Sequence, residues 1–247
     1  MFRKLWRGTL DLVFPPICLL CQKSLKSKNP RFPVCELCHY EIRLNKPPFC
    51  AKCSRPHADP GGTICPECLK TKPAFDIAWG CCEYTEPMKK LVHLFKYNQK
   101  TSLQYYFHEQ VCRFIDESHP RLFGFELLMP VPLHSARLRE RGYNQSELLA
   151  RRLSEKFHIN ISARNLVRTK HTHHQALLSQ KERWTNVRGA FKIKHSSEIK
   201  NQNVLLFDDL LTTGATASEA ALALKSSGAK KVGLLTLAIA GSHNLKL

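Results

Sequence analysis

The sequence predicts an α/β fold, a mostly parallel β-sheet flanked by helices, preceded by a small cysteine-rich module. Three observations carry this. Short apolar runs without strict alternation recur in the later part of the chain, as buried parallel strands require. Segments with apolar residues at helical spacing lie between them, giving the strand, crossover helix, strand order of a βαβ unit. Eight of the eleven cysteines fall in the first 68 residues as four CxxC pairs, where periodicity of either kind is weak.

The elements follow in order from about Asp76. Ile77 to Tyr84 reads as a strand, Met88 to Tyr97 as a helix with Met88, Leu91, Val92 and Phe95 on one face, and Leu103 to Ile115 as a second helix. Leu127 to Val131 is a short apolar run stopped by prolines, as expected of a strand that ends in a loop. Ser146 to Phe157 carries Leu148, Leu149 and Leu153 at helical spacing. Val204 to Phe207 suits a buried parallel strand, although so short a run alone does not exclude a buried helix segment. Ala217 to Ser227 is Ala-rich and helix-favouring, Gly228 is a stop, and Lys231 to Ala240 is the next strand. The expected division is a cysteine-rich module over residues 1–72 and an α/β domain over 73–247.

At 247 residues the chain can hold one large core plus an accessory module. With 43% hydrophobic and 23% charged residues it reads as globular rather than disordered or fibrous. Its 38 Lys and Arg against 20 Asp and Glu give a formal charge of +18. Such a field favours nucleic acid, anionic lipid or phosphorylated small molecules without choosing among them. The beginning, MFRKLWRGTLDLVFPPICLLC, has no clean apolar run of signal-peptide length. No stretch approaches the roughly 18 apolar residues a bilayer span needs. The expectation is a soluble, cytoplasmic chain with no membrane insertion.

The four pairs, Cys18/Cys21, Cys35/Cys38, Cys50/Cys53 and Cys65/Cys68, are separated by 13, 11 and 11 residues. A segment so poor in regular core needs staples. Each pair can present two thiolates to one tetrahedral ion, and two pairs complete a site, so the pattern predicts one or two structural zinc ions. The alternatives are another metal centre such as iron–sulfur, disulfides, which a cytosolic chain disfavours, or a redox pair, which would need only one CxxC. Neighbouring pairs sharing an ion and crossed pairing both remain open. Thiolate at every position leaves no open coordination site, so the metal is architectural. His57 reads as an exposed loop histidine rather than a ligand, and Cys81, Cys82 and Cys112 as small core residues.

The segment VLLFDDLLTTGAT, Val204 to Thr216, carries the chemistry. Two adjacent acids, Asp208 and Asp209, at the carboxyl end of a parallel strand can accept hydrogen bonds from vicinal sugar hydroxyls. The small residues Thr212, Thr213, Gly214, Ala215 and Thr216 then lead into a helix, whose N-terminal N–H groups form an anion site. Gly214 permits a tight turn and close approach by phosphate. Together these describe a ribose recognised beside its 5′-phosphate; a solvated Asp-Asp turn before an ordinary N-cap is the bland alternative. Neither GxxxxGK[ST] nor GxGxxG occurs, which argues against ATP hydrolysis and NAD binding.

This segment resembles the phosphoribosyl pyrophosphate signature of type I phosphoribosyltransferases. With the CxxC region, Phe95-Lys96-Tyr97, the run Val131-Pro132-Leu133-His134 through Arg141-Gly142-Tyr143-Asn144-Gln145, and the stretch Gln175 to Phe191, the chain resembles the ComF (ComFC) competence family over nearly its full length. The resemblance implies a type I phosphoribosyltransferase-like domain that binds phosphoribosyl pyrophosphate with magnesium. It also implies a place in natural transformation, where imported single-stranded DNA is handled inside the cell, with a competence helicase or other DNA-processing proteins as partners. Lys96 becomes a second phosphate-facing cation by the same analogy, and Asn144 and Gln145 part of the pocket wall.

Between Val131 and Lys194 there are 14 Lys and Arg against 4 Asp and Glu. The run VPLHSARLRERGYNQ starts where the strand Leu127 to Val131 should end, on the sheet edge that also carries Asp208 and Asp209. Arg137, Arg139 and Arg141 could therefore reach a pyrophosphate on the ribose, since guanidinium forks suit phosphate oxygens. The resemblance points to Arg137 and Arg141. Further on, Arg168, Lys170, His171, His173, His174 and Gln175, then Lys181, Arg183, Trp184, Asn186 and Arg188, interleave cations, histidines and a tryptophan. That composition suits backbone phosphates plus base stacking on single-stranded nucleic acid, and it requires exposure. The nucleic-acid candidates are Arg168, Lys170, Lys181, Arg183, Trp184 and Arg188. In the related enzymes a mobile loop occupies this sequence position.

In a transferase, Asp208 and Asp209 would orient ribose and cation, and Arg137 with Arg141 would stabilise departing pyrophosphate. No aromatic hood or base-reading motif is evident, so the acceptor is undefined. Three functions compete: a phosphoribosyltransferase-fold protein working on or with single-stranded DNA, a nucleobase phosphoribosyltransferase of nucleotide metabolism, and a non-catalytic nucleic-acid adaptor that senses a phosphoribosyl ligand. The last two leave, respectively, the charge and zinc module without a task, or the pocket without turnover.

Overall fold

A computed structural model describes residues 16–25, 29, 31–57, 63–118, 120, 122–172 and 179–241. Two short helices, α1 (Glu36–Tyr40) and α2 (Pro66–Thr71), belong to the cysteine-rich segment. The α/β part begins with β1 (Ile77–Glu83), α3 (Glu86–Tyr97), α4 (Leu103–Ser118) and β2 (Leu127–Pro130). It continues through α5 (Ser135–Arg141), α6 (Gln145–Phe157), β3 (Asn160–Ile161) and β4 (Leu166–Arg168). It ends with α7 (Gln180–Val187), β5 (Phe191–Ile193), β6 (Asn203–Leu211), α8 (Ala215–Ser226) and β7 (Lys231–Ile239).

Five strands form one parallel sheet in the order β1-β7-β6-β2-β3. An all-parallel sheet must be covered on both faces, and alternation along the strands divides the core accordingly. Leu205 and Phe207 of β6 join α3, α4 and α6 residues such as Phe95, Phe107 and Leu149 on one side. Val204 and Leu206 join Ala220, Ala221 and Leu224 of α8 on the other.

The cysteine-rich segment shares this core. Cys18 and Cys38 pack into the first cluster, and Cys50, Cys53, Cys65 and Cys68 into the second. It also covers the outer edge of the sheet. Asn45 N–H donates to Cys81 O at 2.9 Å, Glu83 N–H to Arg43 O at 2.9 Å, and Ala78 N–H to Lys52 O at 2.8 Å, so backbone groups of edge strand β1 are paired rather than left open.

Three features depart from the sequence-based expectation. The strand expected to stop at Phe207 runs on to Leu211, because Asp208, Leu210 and Leu211 keep register with Thr236, Ala238 and Ile239 of β7. Ladder bonding to a long partner outweighs the poor strand propensity of aspartate. The arginine-bearing segment expected as loop contains α5, started by His134, whose Nδ1 accepts from Ala136 N–H at 3.3 Å, and stopped by Gly142 at φ 82°. Residues 166–193 contain the antiparallel pair β4-β5, outside the main sheet, and α7, opened by a Ser179/Glu182 capping box. Among the described residues no helix is long and apolar enough to cross a membrane.

Candidate functional site

The carboxyl ends of β1, β2, β6 and β7 meet the first turns of α5, α6 and α8 around a cavity of about 550 Å³, where ligands of open parallel sheets bind. Asp208 and Asp209, on the last turnless stretch of β6, enter it with different partners. Ser146 Oγ, at the start of α6, donates to Asp208 Oδ1 at 2.9 Å, and Asp209 N–H donates to the same oxygen at 2.9 Å. Lys96 Nζ, from the last turn of α3, lies 2.9 Å from Asp209 Oδ1, whose side chain is 6% exposed. Asp209 Oδ2 is buried without a hydrogen-bond partner, a group that a hydroxyl donor or a cation would satisfy.

Burial pushes the Asp208 carboxyl up, and the charge of Asp209 adds to it, only partly offset by Lys96; the value reaches about 7. For Lys96 burial acts downward, but Asp209 and Asp208 overcome it and hold the ammonium above its ordinary value. Asp208, Asp209 and Lys96 thus form one cluster of two acids and a cation committed to them.

Thr212, Gly214, Ala215 and Thr216 line the cavity where α8 begins. Gly214 adopts φ 86°, a left-handed conformation natural to glycine. The Thr213 hydroxyl accepts from Ala215 N–H at 3.3 Å and fixes the turn. A helix N-terminus of this kind presents N–H groups that lack intrahelical acceptors, and an anion supplies them.

Two α5 arginines, Arg137 and Arg141, line the same cavity. Arg137 donates from Nη2 to Thr172 O at 2.8 Å; Arg141 donates from Nη1 to Gln145 Oε1 at 2.7 Å and stacks 5.1 Å from the Tyr97 ring centre. Arg139 is exposed and does not line the cavity. Asn144 lies behind the wall, its amide donating to Val131 O at 3.1 Å.

The residues expected to contact nucleic acid separate into two groups. Arg168 of β4 and Arg183 of α7 line the cavity, which corrects the expectation that the whole 168–188 stretch is exposed. Arg168 packs over the Phe191 ring at 5.5 Å, its Nε is buried without a partner, and burial with nearby Arg137 lowers its pKa to about 10. Arg183 is 8% exposed. Lys170, Lys181 and Arg188 are exposed, Lys170 Nζ donating to Arg188 O at 2.8 Å, and Trp184 is half-buried. His171 meets the His134 ring at 5.0 Å, while His173, His174 and Gln175 lie outside the described residues.

Sequence reasoning gave no role to Ser146, Thr172 or two aromatic wall residues, Tyr84 and Tyr97, the latter named only within the Phe95-Lys96-Tyr97 run. Tyr84 was findable as the residue just after β1 on the ligand-facing edge. The partners of Ser146 and Thr172 are set by long-range packing, which leaves no local signal.

The cysteines resolve into two groups, Cys18, Cys21, Cys35 and Cys38, and Cys50, Cys53, Cys65 and Cys68, each with its four Sγ atoms within 4.8 Å of one another. Neighbouring pairs combine and crossed pairing is excluded. Leu20 and Cys35 N–H donate to Cys18 Sγ at 3.4 and 3.3 Å, and Lys52 and Cys65 N–H to Cys50 Sγ at the same two distances, which stabilises thiolate charge. Four thiols per group fit tetrahedral structural zinc with no open position. His57 stands apart, its Nε2 3.1 Å from Thr63 Oγ1. Cys81, Cys82 and Cys112 are buried outside both groups.

Residues 9–69 match the double zinc ribbon domain family, and residues 139–246 the phosphoribosyl transferase domain family. The chain is 30% identical over 239 residues to competence protein F of Haemophilus influenzae, covering 94% of each chain. It is 28% identical to the DNA utilization protein YhgH of Escherichia coli, covering 90% of this chain and 96% of the relative. It is also 28% identical to competence protein ComFC of Bacillus subtilis, covering 86% and 90%.

Proposed function

The chain belongs to the ComF family of competence proteins, and from that premise we propose that its cavity binds phosphoribosyl pyrophosphate with magnesium and that the protein handles single-stranded DNA inside the cell during uptake. The observation that carries the ligand is the convergence of Asp208 and Asp209, the Thr212–Thr216 turn and the α5 arginines on one cavity. Asp208 and Asp209 take the ribose hydroxyls and the cation, the turn takes the 5′-phosphate, and Arg137, Arg141 and Arg168 take the pyrophosphate. Magnesium would supply charge neutralisation on the pyrophosphate oxygens, and the unpartnered Asp209 Oδ2 fits that role.

The DNA assignment is supported by the +18 charge and by Lys170, Lys181 and Arg188, which face outward beside the cavity wall. The names of the relatives, competence and DNA utilization, point the same way. Two structural zinc ions hold the cysteine groups, and DNA-processing proteins of the uptake route are the fitting partners.

Thermal unfolding tests the ligand. Phosphoribosyl pyrophosphate with magnesium should raise the transition temperature, by an amount growing with concentration, more than magnesium or ribose 5-phosphate does alone. A transition unmoved by the full ligand at millimolar concentration sinks the reading.

A further inference from the structure

We propose that Arg55 is a positioning residue that ties the second cysteine group to the phosphate-binding turn, so that metal at Cys50, Cys53, Cys65 and Cys68 orders the pocket as well as the module. This rests on the phosphoribosyl-ligand reading of the cavity. Arg55 lies between Cys53 and Cys65 in sequence and is 3% exposed. Its Nη1 donates to Cys53 Sγ at 3.8 Å, and its Nη2 donates to the carbonyl oxygen of Thr212. Nε is buried without a partner, and no described carboxylate forms an ion pair with the guanidinium.

A buried arginine paired with no acid among the described residues draws on another source of negative charge. Four thiolates around a divalent ion leave a net charge of about −2, and Arg55 is the cation beside it. The other end of the same guanidinium holds the turn. In a trans peptide the carbonyl and the following N–H point in opposite directions, and the single cis bond among the described residues is Pro47-Pro48. Holding Thr212 O on the module side therefore directs Thr213 N–H away from the module and sets the plane from which the anion-binding turn starts.

One further contact braces the helix that follows the turn from the chain just after Cys68, Ala74 N–H donating to Ser218 Oγ at 2.9 Å, and the Phe75 ring occupies the space beside Gly214, where an added methyl group would meet it at 3.7 Å. The first cysteine group has its core partners on the opposite face of the sheet.

The full chain loaded with cobalt(II) at both groups provides the test, because thiolate-to-cobalt charge-transfer absorption reports on Cys53. In the parent, phosphoribosyl pyrophosphate with magnesium should shift that band. Arg55→Met should retain both ions, lose the shift and bind the ligand about tenfold more weakly, with partial recovery in Arg55→Lys. A shift that persists in Arg55→Met, or affinity equal to the parent, overturns the proposal. Hydrogen exchange over residues 211–218 without ligand is the independent arm: Arg55→Met, and chelation of the metal, should each speed it, and unchanged exchange also overturns the proposal. Failure of the parent to bind in calorimetry would count against the ligand reading alone, leaving the exchange arm to judge Arg55.

Discussion

Lys96 Nζ sits 2.9 Å from Asp209 Oδ1, with both side chains largely buried, so the cation assigned to a phosphate in the sequence is held by an acid in the fold. Removing one partner leaves an uncompensated buried charge, at a cost of about 3–5 kcal/mol in comparable pairs. Lys96→Met should therefore lower the urea midpoint at pH 8 strongly, and Lys96→Met/Asp209→Asn should recover most of the loss. A double variant as unstable as the single one would show that Lys96 acts through packing rather than charge.

Asp208 carries a pH dependence with a definite sign. Its folded pKa, about 7, lies above its unfolded value near 3.9, so the fold prefers the neutral carboxyl. The stability this provides is complete below about pH 4 and is lost as pH rises through 7. The parent should lose more stability between pH 5 and pH 8 than Asp208→Asn does, as measured by urea unfolding at both values. Parallel pH profiles for the two proteins would contradict it.

Each cysteine group should lose its ion independently. Cys18→Ser and Cys65→Ser should each lower the zinc content from about two ions per chain to about one, because each group has its own four ligands. Elemental analysis checks this, and full metal retention in either variant would contradict the ligand sets.

Outward and inward cations should differ in salt response. Single-stranded binding loses affinity with a log–log slope of about 0.7 per phosphate contacted, so Lys181→Ala/Arg188→Ala should reduce the slope by about 1.4. Arg168→Ala should leave that slope unchanged while weakening binding of the phosphoribosyl ligand. Fluorescence anisotropy across salt concentrations separates the two, and equal slopes in parent and Lys181→Ala/Arg188→Ala would remove these residues from the DNA surface.

The sheet was legible where periodicity was local. Val204 to Phe207 and Lys231 to Ala240 read as strands because continuous apolar runs are what a sheet buried on both faces demands. What could not be read was set by distant partners. β6 continues through Asp208 and Asp209 because β7 pairs with it. α5 escaped notice because a seven-residue polar helix has no buried stripe to reveal its period. The inward turn of Arg168 and Arg183 depends on where β4 and α7 come to lie in the folded chain, and a run of alternating cations looks alike whether it faces solvent or a ligand. The cysteine spacing announced metal, but only the folded chain joined Arg55 to Thr212 across 157 positions.

The most direct test of the central claim is calorimetry with phosphoribosyl pyrophosphate and magnesium on the parent and on Asp208→Asn/Asp209→Asn, both first verified as folded and zinc-loaded. The parent should bind at a single site and the double variant should lose that binding. Equal binding by the two proteins would contradict the assignment of the cavity.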